Sequence, residues 1–245
     1  MNVNNENKSS GGIGVASDGV SNVLDKTPAD MSPIVLSEEY DTKIIFVRHG
    51  ESLGNAARSF LGHTNVDLSP RGYQQAERTA DLLSCVHIDR IYSSDLLRAF
   101  NTGVKIAEKH NLSVEPSELL RELYLGSWEG KTVASLEADF PELMHVWKTD
   151  FGRMVCPGGE SSVELRERIY KAVFKIAEEN LGKTVVIACH GAAIRMFWSK
   201  ICGVSEERVG AEIPFAYNAS VSVAYLDGDR LVPGEYSHMA HLTDI

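Results

Sequence analysis

Two short apolar runs organise the chain: Ile44-Ile45-Phe46-Val47, and Val185-Val186-Ile187-Ala188 within the segment that begins at Thr184 and ends at Cys189. Both are continuous rather than alternating, too short for a helix core and rich in β-branched or aromatic residues, which predicts strands buried on both faces. Strands of that kind belong to α/β sheets, where ligands bind beyond the carboxyl ends of the strands. Arg48 and His49 stand at the end of the first run, His190 at the end of the second, and a glycine follows each histidine. Gly50 is expected to let the backbone turn sharply.

Between these strands the periodicity changes to that of helices. Ser69-Pro70 gives an N-cap and a proline at the first helical position, and Tyr73, Ala76, Ala80 and Leu83 carry the pattern to about Cys85. A strand is predicted over residues 87–93. Ser94 or Asp95 then caps a helix with Leu97, Val104 and Ile106 among its apolar positions, which puts Arg98 in its first turn. Residues 119–159 are less periodic, carry Trp128, Trp147, Pro141 and Pro157, and predict an excursion from the sheet with helices over about 133–140 and 143–149. Ser161 and Glu164 form a capping box, and Leu165, Ile169, Val173 and Ile176 mark one face of a helix ending near Gly182. A helix over about 192–201 follows the second apolar run, and a strand over 220–226 turns through Asp227-Gly228 to a partner at Leu231-Val232.

Residues 1–41 are dominated by Asn, Ser, Gly, Asp and Glu, too polar to offset the entropy of ordering, and read as a disordered tail. The run Gly11-Gly12-Ile13-Gly14 reads as linker, because no strand precedes it. The 245-residue length suits one core, which assigns residues 42–245 to a single domain. A net charge of -10 argues against nucleic acid or an anionic membrane as the main partner. Cys85, Cys156, Cys189 and Cys202 lack paired spacing, so reduced thiols in a cytoplasm are expected rather than a zinc site or a disulfide framework. Met1–Ser10 lacks the pattern of a secretory leader and no apolar run reaches the length of a membrane span. Asn111 and Asn218 match glycosylation acceptors, with nothing to indicate secretion, and the spacing of His238 and His241 is read as chance rather than a metal pair.

In a parallel sheet His49, His190, Arg48 and Arg98 would converge. Such a cluster calls for an anion, and guanidinium forks match the oxygens of a phosphate. The runs Arg48-His49-Gly50-Glu51-Ser52 with Asn55, Ser93 to Ala99, Arg121-Glu122-Leu123, Leu125 to Gly130, Pro157 to Ser161 and Cys189-His190-Gly191 together resemble the histidine phosphatase, or phosphoglycerate mutase-like, superfamily. The resemblance covers essentially everything after the tail. It implies a three-layer α/β/α sandwich with a mostly parallel central sheet, and His49 as the nucleophile that becomes a phosphohistidine. An imidazole with a reference pKa near ~6.5 suits that task, since much of it is uncharged at neutral pH.

The resemblance further implies that Arg48, Arg98, His190 and Gly191 hold the phosphate, that Asn55 adds a neutral hydrogen bond, and that Glu122 is the general acid. Glu51, Glu129 and Glu160 are its rivals in neighbouring motifs. No metal or cofactor is required. The segment after Glu122 resembles the phosphatase branch, with one departure: Leu61 stands where many relatives have Gln. The expected activity is metal-independent hydrolysis of a small phosphorylated metabolite. A cofactor-dependent phosphoglycerate mutase is the first alternative, and a non-catalytic phosphate-binding module the second. The pocket for the rest of the substrate is expected from residues 119–159, where Lys148 and Arg153 read as surface charges.

Overall fold

A computed structural model describes residues 33–243 and 245. The expected tail up to residue 32, with its glycine run, lies outside the described residues. Within residues 33–41, Ile34 is buried in the same apolar cluster as Ile45 and Val47, and Tyr40 stacks on Tyr225 at 4.8 Å.

Strand β1 (Thr42–Arg48) leads into α1 (Leu53–Ala56) and α2 (Pro70–Leu83), and β2 (Arg90–Ser94) into α3 (Leu97–His110) and β3 (Val114–Ser117). The excursion carries α4 (Val133–Asp139) and α5 (Pro141–Thr149). Helix α6 (Ser162–Glu179), β4 (Thr184–Cys189), α7 (Gly191–Ile201), α8 (Val209–Glu212), β5 (Val221–Asp227) and β6 (Arg230–Pro233) complete the described chain.

The strands form one six-stranded sheet in the order β3-β2-β4-β1-β5-β6. β3, β2, β4 and β1 are parallel, β5 runs antiparallel to β1, and β6 pairs antiparallel with β5. Side chains alternate across each strand. Ile45, Val47, Ile91 and Val186 therefore pack on one face against α2 and α3. Ile44, Phe46, Val185 and Ile187 pack on the other against α6, α7 and the excursion. This is the expected sandwich of helices on both faces of a mostly parallel sheet.

Several local readings differ. β2 begins at Arg90 rather than His87, while β3 has no apolar run and contains Pro116, as an edge strand can. Helix α3 has no side-chain cap of the expected kind. Ser94 Oγ accepts from the Leu96 amide, Asn65 Oδ1 from the Leu97 amide at 2.8 Å, and Asp95 turns away to pair with Arg121. Leu97 faces solvent. Gly50 does not adopt a left-handed conformation. Its glycine is required by close packing, since a Cβ there would stand 2.3 Å from the carbonyl oxygen of Gly72 in α2.

Candidate active site

The parallel pairing of β1 with β4 sets Arg48 opposite Cys189, so the histidine one step beyond each falls at the same level of the sheet edge. The His49 amide donates to the Cys189 carbonyl at 3.0 Å, and the two imidazoles meet edge to face with ring centroids 5.2 Å apart. Both side chains are buried. His49 Nδ1 lies 2.7 Å from the Gly50 carbonyl oxygen. A carbonyl only accepts, so Nδ1 carries the proton and Nε2 keeps its lone pair. Neither ring nitrogen of His190 has a hydrogen-bond partner. Buried polar atoms without partners are costly, and a site full of them suits a polar ligand.

Two guanidiniums face this pair. Arg48 donates to the Ala216 carbonyl at 2.5 Å while its Nε is left unpaired. Arg98 enters from the first turn of α3 and donates to the carbonyls of Gly62 at 2.7 Å and Thr64 at 3.0 Å. These bonds fix the side chains with neutral partners and leave the positive charge for an anion. Burial lowers the Arg98 pKa to about 10, while that of Arg48 also falls through burial. Burial, reinforced by the charge of Arg98, holds the pKa of His49 and of His190 well below the ordinary histidine value. Both imidazoles are neutral at physiological pH.

Glu122 reaches the same cavity with its carboxylate seated on the start of α7. Oε2 accepts from the Ala192 amide, and Oε1 from the amides of Ala193 and Leu123. Asn55 lies beside His49. Its Oδ1 accepts from the Ser52 amide in the α1 capping box and from Asn218, which leaves the Asn55 amide group to donate. Gly191 lines the cavity at the N-terminus of α7, an end of a helix that favours anions. Thus Arg48, His49, Asn55, Arg98, Glu122, His190 and Gly191 do come together at the carboxyl edge of the sheet.

The rival acids are engaged elsewhere. Glu51 binds Ser69 and Arg71, and Glu160 pairs with Arg168. Glu129 bonds the amides of His63 and Leu125 and the hydroxyl of Thr64, which clamps the loop whose carbonyls hold Arg98. Gly62 in that loop is left-handed at φ +52, and a Cβ would stand 2.3 Å from Glu129 Oε1. Of the tryptophans, Trp128 is fully buried, whereas Trp147 lines the cavity, as does Leu61. Lys148 pairs with Glu137 and Arg153 with Asp150. His238 pairs with Glu235, and His241 meets Thr79 and the Ala219 carbonyl.

Sequence reasoning missed the supports of the site. Asn218 donates to the His49 carbonyl at 3.0 Å as well as to Asn55, and Arg195 is buried in α7. In the sequence Glu129 reads as a rival acid and Asn218 as a glycosylation match; their supporting contacts, like that of Ala216, come from loops brought together by the fold. The cavity itself measures about 780 Å³ and opens between the strand tips, the loop after α1, and α4 and α5. Chemically, the site can bind a tetrahedral anion, present an unprotonated imidazole nitrogen to it and offer a carboxyl group beside it.

A family model described as the histidine phosphatase superfamily (branch 1) matches residues 44–236. The chain is 33% identical to phosphoglycerate mutase-like protein 4 of Arabidopsis thaliana over 85% of its own length and 90% of the relative's. It is 32% identical to phosphoserine phosphatase 1 of Hydrogenobacter thermophilus over 82% and 94% of the two lengths. Among solved structures, Bacillus stearothermophilus YhfR superposes with a TM-score of 0.78 at 26% identity, covering 82% of this chain and 98% of that one.

Proposed function

Since the chain belongs to the histidine phosphatase superfamily, branch 1, we propose that it is a metal-independent phosphomonoesterase acting on a small phosphorylated metabolite through a phosphohistidine. The observation that carries this reading is the His49 imidazole, anchored through Nδ1 with Nε2 free, beside unpaired polar atoms of His190 and Arg48. Nε2 of His49 attacks phosphorus, the ester P–O bond breaks, and the leaving alkoxide takes the proton of the Glu122 carboxyl. Arg48, Arg98, His190 and Asn55 spread over the phosphoryl oxygens and stabilise charge that a metal ion would otherwise share. Water then attacks phosphorus and gives its proton to Glu122. The P–N bond breaks, inorganic phosphate leaves, and the neutral imidazole is restored. Hydrolysis rather than phosphoryl return is supported by the open cavity, which leaves water room beside the phosphate, and by the phosphatase among the relatives.

The test is phosphate release from a phosphomonoester in the presence of a chelator. Wild-type protein is expected to turn over, and His49→Ala to lose at least ~10³-fold in kcat. Glu122→Gln is expected to slow alkyl esters more than aryl esters, because a phenolate leaves with less need of a proton. Efficient isomerisation of a phosphoglycerate in the presence of its bisphosphate, with little free phosphate, would replace the phosphatase reading by that of a mutase.

A further inference from the structure

The part of the cavity beyond the phosphate group is an aromatic and aliphatic wall. Phe60, Leu61, Leu125, Val133, Trp147 and Phe215 line it. Of these, Phe60, Val133, Trp147 and Phe215 are only partly buried, so their free faces are turned to the cavity or solvent. The charged groups of this half are few: Arg58, which is exposed, and Glu137, which is tied to Lys148 at 2.5 Å. At about 780 Å³ the cavity far exceeds the needs of a phosphate, and its size is that of pockets that enclose drug-sized ligands.

The wall is also rigid. Trp147 stands edge to face on both Phe60 and Phe151 at 4.9 Å and stacks with Phe215 at 6.0 Å. Behind it the buried Arg195 guanidinium lies 4.3 Å from the Phe215 ring and 4.9 Å from that of Phe151. Its N–H groups donate to the carbonyls of Ile213, Val209 and Gly210, which fixes the segment carrying Phe215. Ordering cost on binding is low for such a surface.

We propose that this half of the cavity selects phosphomonoesters of bulky, aryl-bearing alcohols over those of small polar alcohols, a refinement that rests on the phosphatase reading above. A small zwitterion such as phosphoserine would leave most of this apolar wall uncovered and set its charged groups against it, where Glu137 is already paired with Lys148. An unpaired charge there loses hydration without compensation. A phenyl ring loses only contact with water, and at about 25 cal/mol per Å² its burial corresponds to a roughly 10- to 100-fold gain in kcat/KM.

The measurement is kcat/KM of the wild-type protein for 3-phenylpropyl phosphate, n-propyl phosphate and O-phosphoserine. The first two release primary alcohols of similar basicity, so their ratio reports the pocket and not the leaving group. A preference of at least ~10-fold for the phenylpropyl ester over both others is expected. Trp147→Ala, and the near-isosteric Val133→Thr on the same wall, are expected to shrink that preference, read as the ratio of kcat/KM for the phenylpropyl and n-propyl esters. Equal or faster hydrolysis of the propyl ester or phosphoserine overturns the proposal and leaves the phosphatase reading standing. Absence of phosphate release from all three overturns the phosphatase reading and the proposal with it.

Discussion

His49 and His190 are kept neutral by the same surroundings that draw in an anion, namely burial and the charges of Arg98 and Arg48. For a nucleophile this is an advantage, because protonation of Nε2 would remove the lone pair. After correction for the substrate's own second ionisation near pH ~6, the acid limb of kcat/KM assigned to His49 is expected well below pH ~6.5. A pH–rate profile whose enzyme limb falls at or above that value would contradict it. At Glu129 the effect is indirect. Glu129→Gln replaces one accepting oxygen with a donor and loosens the clamp on the Gly62–Thr64 loop that aims Arg98. Inhibition by inorganic phosphate or vanadate is expected to weaken about 10-fold, with Tm changed by only a few degrees. A loss of stability with unchanged anion affinity would make the residue merely structural.

At the scale of elements, chemistry was legible where periodicity ends in a functional residue. His49 and His190 follow continuous apolar runs, and Arg98 falls in the first turn of a helix after a strand; their convergence then follows from the parallel register of β1, β4 and β2. The capping box of α6 and the Pro-initiated α2 were equally legible. β3 was not, because the edge strand Val114–Ser117 is held by pairing with β2 rather than by an apolar pattern of its own. The supporting roles of Asn218 and Glu129 escaped for a related reason: their partners include backbone groups on loops distant in sequence. Gly72 illustrates the coupling of elements. A Cβ there would stand 1.9 Å from the Glu51 carbonyl, so Gly72→Ala must push α2 away from the tip of β1. A destabilisation of ~2 kcal/mol or more is expected in denaturant unfolding, with a disproportionate fall in kcat. A variant as stable and as active as wild type would show that the tip and α2 move independently.

Across the whole molecule, three buried histidines link stability to pH in one direction. Burial lowers His49 and His190 well below the ordinary value and His241 to about 4, while the unfolded chain titrates near ~6.5. Their contribution is fully present above pH ~6.5 and is lost as pH falls, because the unfolded state then binds more protons. Each adds a slope of up to ~1.4 kcal/mol per pH unit, and for His241 the window closes near pH 4. Denaturant unfolding between pH 7.5 and about 5 is expected to show this decline, and a flat profile would contradict the burial of neutral imidazoles.

The whole arrangement, from the twin strand tips to the clamp on Arg98, converges on phosphoryl transfer to one nitrogen atom. Rapid-quench mixing with a phosphomonoester labelled in its phosphoryl group tests that most directly. The expected result is an acid-labile, base-stable phosphoenzyme, formed at up to one label per chain, mapped to the peptide containing His49 and absent from His49→Ala. Label on another residue, or continued turnover by His49→Ala, would contradict it.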